Sequence, residues 1–186
     1  REERSGFHRP LDYIGALSHP ANVRYKVLGC SNKKHFEVIE KLADDLFDNY
    51  FISFNTDIDE LSIVSASHVV EKRKGRKRRY VLDPKELNIY HTSYAGVEAR
   101  LTPAENAAFL EEVLAGRECP ALDLIALNAA SAFYLFNDTD TFAGSLSRAY
   151  NIIRSGRALD TLGKWKRYAN QQSAERYHKK NLLIPK

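Results

Sequence analysis

The sequence contains no methionine, where average usage would give roughly four, and it holds only two cysteines, one tryptophan and six prolines among 186 residues. Cys30 and Cys119 stand far apart, and neither belongs to a CxxC or Cys/His cluster. That argues against a zinc site or a disulfide framework and predicts buried thiols. No run approaches the roughly eighteen consecutive apolar residues of a membrane helix, and no signal-peptide pattern opens the chain. A soluble, cytoplasmic protein is expected. Internal repeats and low-complexity tracts are also missing. The chain opens on Arg1 and not on Met, so an upstream part is expected.

What is present suffices for one compact core: 44% of residues are hydrophobic and 28% charged. The formal net charge is +4, the pI is near 9.0, and much of the excess lies in one run, Lys72-Arg-Lys-Gly-Arg-Lys-Arg-Arg79. Residues 1–20 are mixed and basic, broken by Pro10, Gly15 and Pro20 around a short apolar stretch, 11–14, that predicts a short helix. Residues 23–30 alternate, with Gly29 at the end of the run, as a strand entering a turn does. Ser31 is the expected N-cap of a helix over 33–47, where Phe36, Ile39, Leu42, Ala43 and Leu46 recur at helical spacing. The aromatic, β-branched run 50–54 predicts a buried strand, completing a βαβ unit whose carboxy end carries the polar turn 55–60. Residues 67–72 and 78–82 predict a hairpin turning at Gly75 and ending before Pro84.

The second half reads as helical. Thr102, Pro103 and Glu105 form a helix start, and Gly116 a stop. Residues 122–136 are apolar on every side, and 141–162 form a longer amphipathic helix interrupted at Gly156. From Lys164 a basic tail holding Trp165 is expected to fray. The expected organisation is an α/β fold, a partial parallel sheet with a basic β-hairpin flanked by helices. Its parts are a lead-in segment at 1–20, an α/β domain at 21–170 and a basic tail at 171–186.

Six motifs in order resemble those of the anthranilate phosphoribosyltransferases. Gly15-Ala-Leu-Ser-His-Pro20 resembles that family's GPLxNP, Asp59-Glu-Leu-Ser62 its DE-[IL]-S, and Asp83-Pro-Lys-Glu-Leu87 the PEELG after its hairpin. Glu105-Asn-Ala-Ala108 with Leu114-Ala-Gly116, then Leu127-Asn-Ala-Ala130, and finally Ser155-Gly-Arg-Ala158 are similar to three helical motifs. Each alone is weak; the order and intervals carry the resemblance.

The resemblance implies the carboxy-terminal α/β part of a homodimeric enzyme that transfers phosphoribose from phosphoribosyl pyrophosphate to an aromatic amine such as anthranilate, with Mg2+, in tryptophan biosynthesis. The first 20 residues would belong to the small helical domain. The family's glycine-rich phosphate loop and Lys-His-Gly-Asn segment have no counterpart here, so the donor-binding half is expected upstream. The family's acceptor arginine falls at His8, beside Arg9, and together with Pro20 these residues would wall the acceptor pocket. The family's His-Gly and further Gly before the acid pair correspond to Ser53, Phe54 and Asp57.

Asp59 and Glu60 would be the metal ligands, since Mg2+ is usually held by one or two carboxylates plus substrate phosphates. The same two acids also suit a solvated turn. Likewise His8 and Arg9 suit an exposed basic terminus, and the basic run suits a solvated hairpin tip protecting a sheet edge. The alternative function is a non-catalytic homologue that binds nucleic acid through a basic surface. Aromatic residues are not interleaved within the run, as stacking on single-strand bases requires. Asn128 reads as a satisfied core amide, and His68, His91 and His178 have no ligand spacing.

Overall fold

The structure is a computed structural model that describes residues 15, 17, 18, 21, 23–136 and 141–182, with side chains through residue 172. The short helix expected at 11–14 and the candidate pocket residues His8, Arg9 and Pro20 lie outside the described residues.

Four strands form one sheet in the order β1-β2-β3-β4. Strand β1 (Tyr25–Cys30) runs parallel to β2 (Asn49–Phe54), and helix α1 (Lys33–Leu46) connects them. Strands β3 (Ser67–Arg73) and β4 (Arg76–Leu82) add an antiparallel hairpin. The hairpin turns on Lys74 and Gly75, both at positive φ (53° and 74°), which is the backbone of a two-residue turn matched to strand twist. Among the described residues no strand pairs with the second edge of β1.

Alternation sorts β2 between two cores. Phe51 faces one cluster with Val69, Leu82 and the helices of the second half, while Tyr50, Ile52 and Phe54 face another with Val70 and α1. Tyr50, Phe51 and Ile52 are fully buried. Burial of each contributes about 1.5–3 kcal/mol, so β2 is the spine of both layers.

Three differences from the sequence expectations have physical causes. Ser31 does not cap α1; Asn32 does, its side-chain oxygen accepting from the N–H groups of Lys34 (2.8 Å) and His35 (3.3 Å). Leu42 and Leu46 share the helical period but stand exposed, because the sheet covers only the Ile39 and Ala43 face. The run expected over 141–162 breaks at Gly156 (φ 76°) as read, but into two full helices, α4 (Phe142–Arg154) and α5 (Arg157–Leu182), the second extending well beyond 162. Helix α5 continues through the segment expected to fray.

Helices α2 (Pro103–Leu114) and α3 (Pro120–Leu135) match their predicted starts and stops closely. The α2 start is a capping box: Thr102 Oγ1 accepts from the Glu105 N–H, and Glu105 accepts from the Thr102 N–H at 2.9 Å. No residue of α3 is fully exposed, in agreement with its uniform apolarity. No helix among the described residues is long and apolar enough to cross a membrane.

Candidate functional site

Strands β1 and β2 are parallel, so their carboxy ends open at the same edge of the sheet, the place where α/β sheets put ligands. The segment leaving β2 passes across this edge. A Cβ built on Gly29 would lie 1.6 Å from the Asp59 carbonyl oxygen, so the close approach of the two chains admits only glycine at the end of β1.

The loop is held at both ends by side chains that bond its backbone. Asn55 is buried at the end of β2; its amide donates to Ser65 Oγ and the Ala66 carbonyl, each at 3.0 Å, and its oxygen accepts from the Asp57 N–H at 2.8 Å. Ser65 Oγ donates to the Asp57 carboxylate at 2.7 Å. At the far end Asn128 of α3 forms a two-point clamp. Its oxygen accepts from the Leu61 N–H at 2.8 Å, and its amide donates to the Leu61 carbonyl at 3.0 Å and to that of Leu124 at 3.0 Å. Ser62 Oγ accepts from the N–H groups of Val64 and Ser65 and shares a 2.6 Å hydrogen bond with Tyr94. Leu61 and Ile63 anchor the same stretch in the core.

Between these anchors Asp57, Asp59 and Glu60 stand exposed to solvent. The main chain is fixed while the carboxylates are presented outward. Among the described residues no cluster of three or more His, Cys, Asp or Glu side chains could hold a metal alone. An outward pair of hard oxygen donors suits an ion that keeps several waters and takes its remaining ligands from substrate phosphates, as Mg2+ does. It does not suit zinc or a closed calcium cage. Cys30, next to Gly29, is the buried thiol expected from the sequence. Burial, and then the charge of Asp59, push its pKa up to about 11, so the thiol is neutral at physiological pH and does not act as a nucleophile.

Sequence reasoning singled out the acid pair as a candidate and read Asn128 correctly as a satisfied amide. It missed the parts that hold the loop: Gly29, Asn55, Ser62 and Tyr94. Asn55 and Ser62 carried a local signal, as turn-forming residues whose side chains bond nearby backbone. Gly29 and Tyr94 act through contacts 30 or more residues away in sequence. His91 has a partner that spacing did not suggest, Asp123 of α3 at 2.7 Å, which also accepts from Tyr150 at 2.7 Å. His68 stacks on Phe54. The two residues replacing the family's His-Gly, Ser53 and Phe54, are buried strand positions.

The model of the glycosyl transferase family, a/b domain, matches residues 9–159. An anthranilate phosphoribosyltransferase of Geobacillus kaustophilus is 32% identical over 162 residues, which cover 84% of this chain and 47% of that protein. One from Legionella pneumophila is 27% identical over 178 residues, 95% of this chain and 52% of the relative. The chain thus spans about half the length of the relatives it matches. Among solved structures, the anthranilate phosphoribosyltransferase of Thermus thermophilus superposes with a TM-score of 0.76 at 26% identity, over 86% of this chain and 47% of that one. The Saccharomyces cerevisiae enzyme in complex with PRPP and Mg gives 0.67 at 26% identity, over 81% and 44%.

Proposed function

The chain belongs to the glycosyl transferase family by its a/b domain, and from that membership we propose that it forms the metal-loop half of an anthranilate-type phosphoribosyltransferase. The reaction joins phosphoribose to an aromatic amine: the bond from the ribosyl carbon to pyrophosphate breaks, a carbon–nitrogen bond forms, and the amine gives up a proton. Such a transfer needs no protein nucleophile. It needs charge stabilisation where pyrophosphate departs.

The observation that carries this reading is the acid loop. Asn55, Asn128 and Gly29 fix its backbone, so Asp59 and Glu60 face outward from a rigid support at the carboxy edge of the parallel strands. In this reading the two carboxylates hold Mg2+, and the bound ion supplies the positive charge that offsets the leaving pyrophosphate. The yeast relative's complex with PRPP and Mg supports the choice of donor and ion. His8, Arg9 and Pro20 are assigned to the acceptor wall, 21–170 to the α/β domain, and the functional unit to a cytoplasmic homodimer completed by a donor-binding half.

Isothermal titration of phosphoribosyl pyrophosphate, with and without Mg2+, into the longest natural polypeptide containing this chain tests the reading. Magnesium-dependent heat that vanishes in an Asp59→Asn/Glu60→Gln variant is the expected result. Absence of binding by the folded polypeptide sinks it.

A further inference from the structure

Most of the hairpin's cations meet acids within the protein, as Lys77, Arg78 and Arg79 do with Asp44, Glu71 and Glu40. The last helix is different. Over Arg157–Leu182 the sequence holds seven Lys or Arg and two Asp or Glu, a net +5, whereas the whole chain carries +4 and the other 160 residues therefore sum to −1. The family's a/b-domain model ends at residue 159, so nearly all of α5 lies past the matched domain. Its sequence also interleaves cations with rings, in Lys164-Trp-Lys-Arg-Tyr168. The hairpin run lacks that pattern.

Packing decides which of these groups are available. Ala158, Leu159 and Leu162 are half-buried on the side of α5 that meets the body, and Lys166 on that side pairs with Glu111 of α2 at 2.5 Å. Arg157, Thr161, Lys164, Trp165 and Tyr168 recur at the three- and four-residue spacing of one helical flank, and each is exposed. Trp165 is 65% and Tyr168 61% exposed, and among the described residues nothing stacks on either ring. No described acid pairs with Arg157, Lys164 or Arg167. Three unpaired cations thus border two uncovered rings on one helix.

The flank's chemistry selects the kind of partner. From 157 to 171 no exposed side chain is aliphatic, so the helix offers no apolar face to sink into a lipid surface. A net +5 repels a second copy of the same helix. A polyanion that also presents ring faces satisfies both sets of groups. We propose that α5 binds single-stranded nucleic acid, with bases stacked on Trp165 and Tyr168 and phosphates held by Arg157, Lys164 and Arg167. The cations act through charge and release of counterions. Each ring accepts a base of any identity, and a duplex keeps its bases stacked on one another.

Trp165 is the only tryptophan of the chain, so its emission reports from the site itself. The test titrates a dT10 strand into the 186-residue protein. Saturable quenching is expected, with affinity falling about twentyfold between 50 and 200 mM salt for three neutralised phosphates. A duplex of the same length should bind about tenfold more weakly or worse. Tyr168→Ala keeps the reporter and removes one stacked base, which should weaken binding about fivefold or more. Lys164→Glu/Arg167→Glu should cost about tenfold or more. Lys74→Glu/Arg76→Glu, an equal change of charge on the hairpin, should leave affinity within about threefold at 0.15 M salt. All these positions are exposed, so the circular dichroism spectra should stay unchanged. No quenching by dT10, equal affinity for strand and duplex, or equal losses from the two charge variants would overturn the proposal. Heparin, a polyanion without bases, quenching Trp165 as strongly as dT10 would overturn the stacking. A blue shift with anionic vesicles and no response to dT10 would assign the helix to a lipid surface and overturn the proposal as well.

Discussion

At the residue scale, the acid loop depends on groups that carry no charge. Gly29→Ala adds one methyl group, yet its carbon would sit 1.6 Å from the Asp59 carbonyl oxygen, so the loop must lift away from β1. A cost of about 1–3 kcal/mol is expected, read as a lower denaturant midpoint, together with loss of the magnesium-dependent heat although both carboxylates remain. Asn128→Ala removes both hydrogen bonds to the Leu61 backbone and strands its N–H and C=O, at a similar cost of roughly 1–3 kcal/mol. Cys30 adds a pH dependence. Its folded pKa of about 11 exceeds the ordinary 9.0 because burial, and next Asp59, disfavour the thiolate. The unfolded chain therefore loses its proton first as pH rises, and the contribution to stability, whole below pH 9, declines as pH climbs through 11. The two-unit gap is worth on the order of 2 kcal/mol. Unfolding curves between pH 8 and 11 should fall less steeply for Cys30→Ala than for the natural sequence; parallel slopes would refute the assignment.

At the element scale, what was legible in the sequence was whatever rests on local chemistry. The Thr102 and Glu105 capping box, the stop at Gly116, the turn at Gly75 and the buried, aromatic run of β2 each rest on residues within a few positions of one another, and all stand in the structure as expected. The cap of α1 was misread by one residue because serine and asparagine are nearly equal N-caps, and only geometry chooses between neighbours. Asn32→Ala should accordingly destabilise by about 1 kcal/mol, whereas Ser31→Ala should stay within about 0.5 kcal/mol; thermal melts of the two variants decide it. Leu42 and Leu46 show the other limit. Helical period identifies an apolar face, but which part of that face meets the sheet depends on where β2 and β3 lie.

At the scale of the whole molecule, the candidate acid pair was legible because six motifs in order marked it, while its support was not, since Gly29, Tyr94 and Asn128 reach the loop across 30 to 67 residues of sequence. The basic run was legible as charge, but what packs against it was not. Its aromatic neighbours arrive from α3 and α4, and Tyr134 stands 56 positions beyond the Arg78 it bonds. Distance also decides how the two regions relate. The acid loop and the hairpin tip occupy opposite ends of one rigid sheet and share no side chain. Substitutions so far apart act independently. Asp59→Asn/Glu60→Gln should abolish magnesium-dependent binding of phosphoribosyl pyrophosphate, whereas Lys74→Glu/Arg76→Glu should leave it within about twofold, since charges altered beyond a Debye length are largely screened at 0.15 M salt. Titrating phosphoribosyl pyrophosphate into both variants decides it, and a loss of magnesium-dependent heat in the hairpin variant would mean that the two ends of the sheet are coupled.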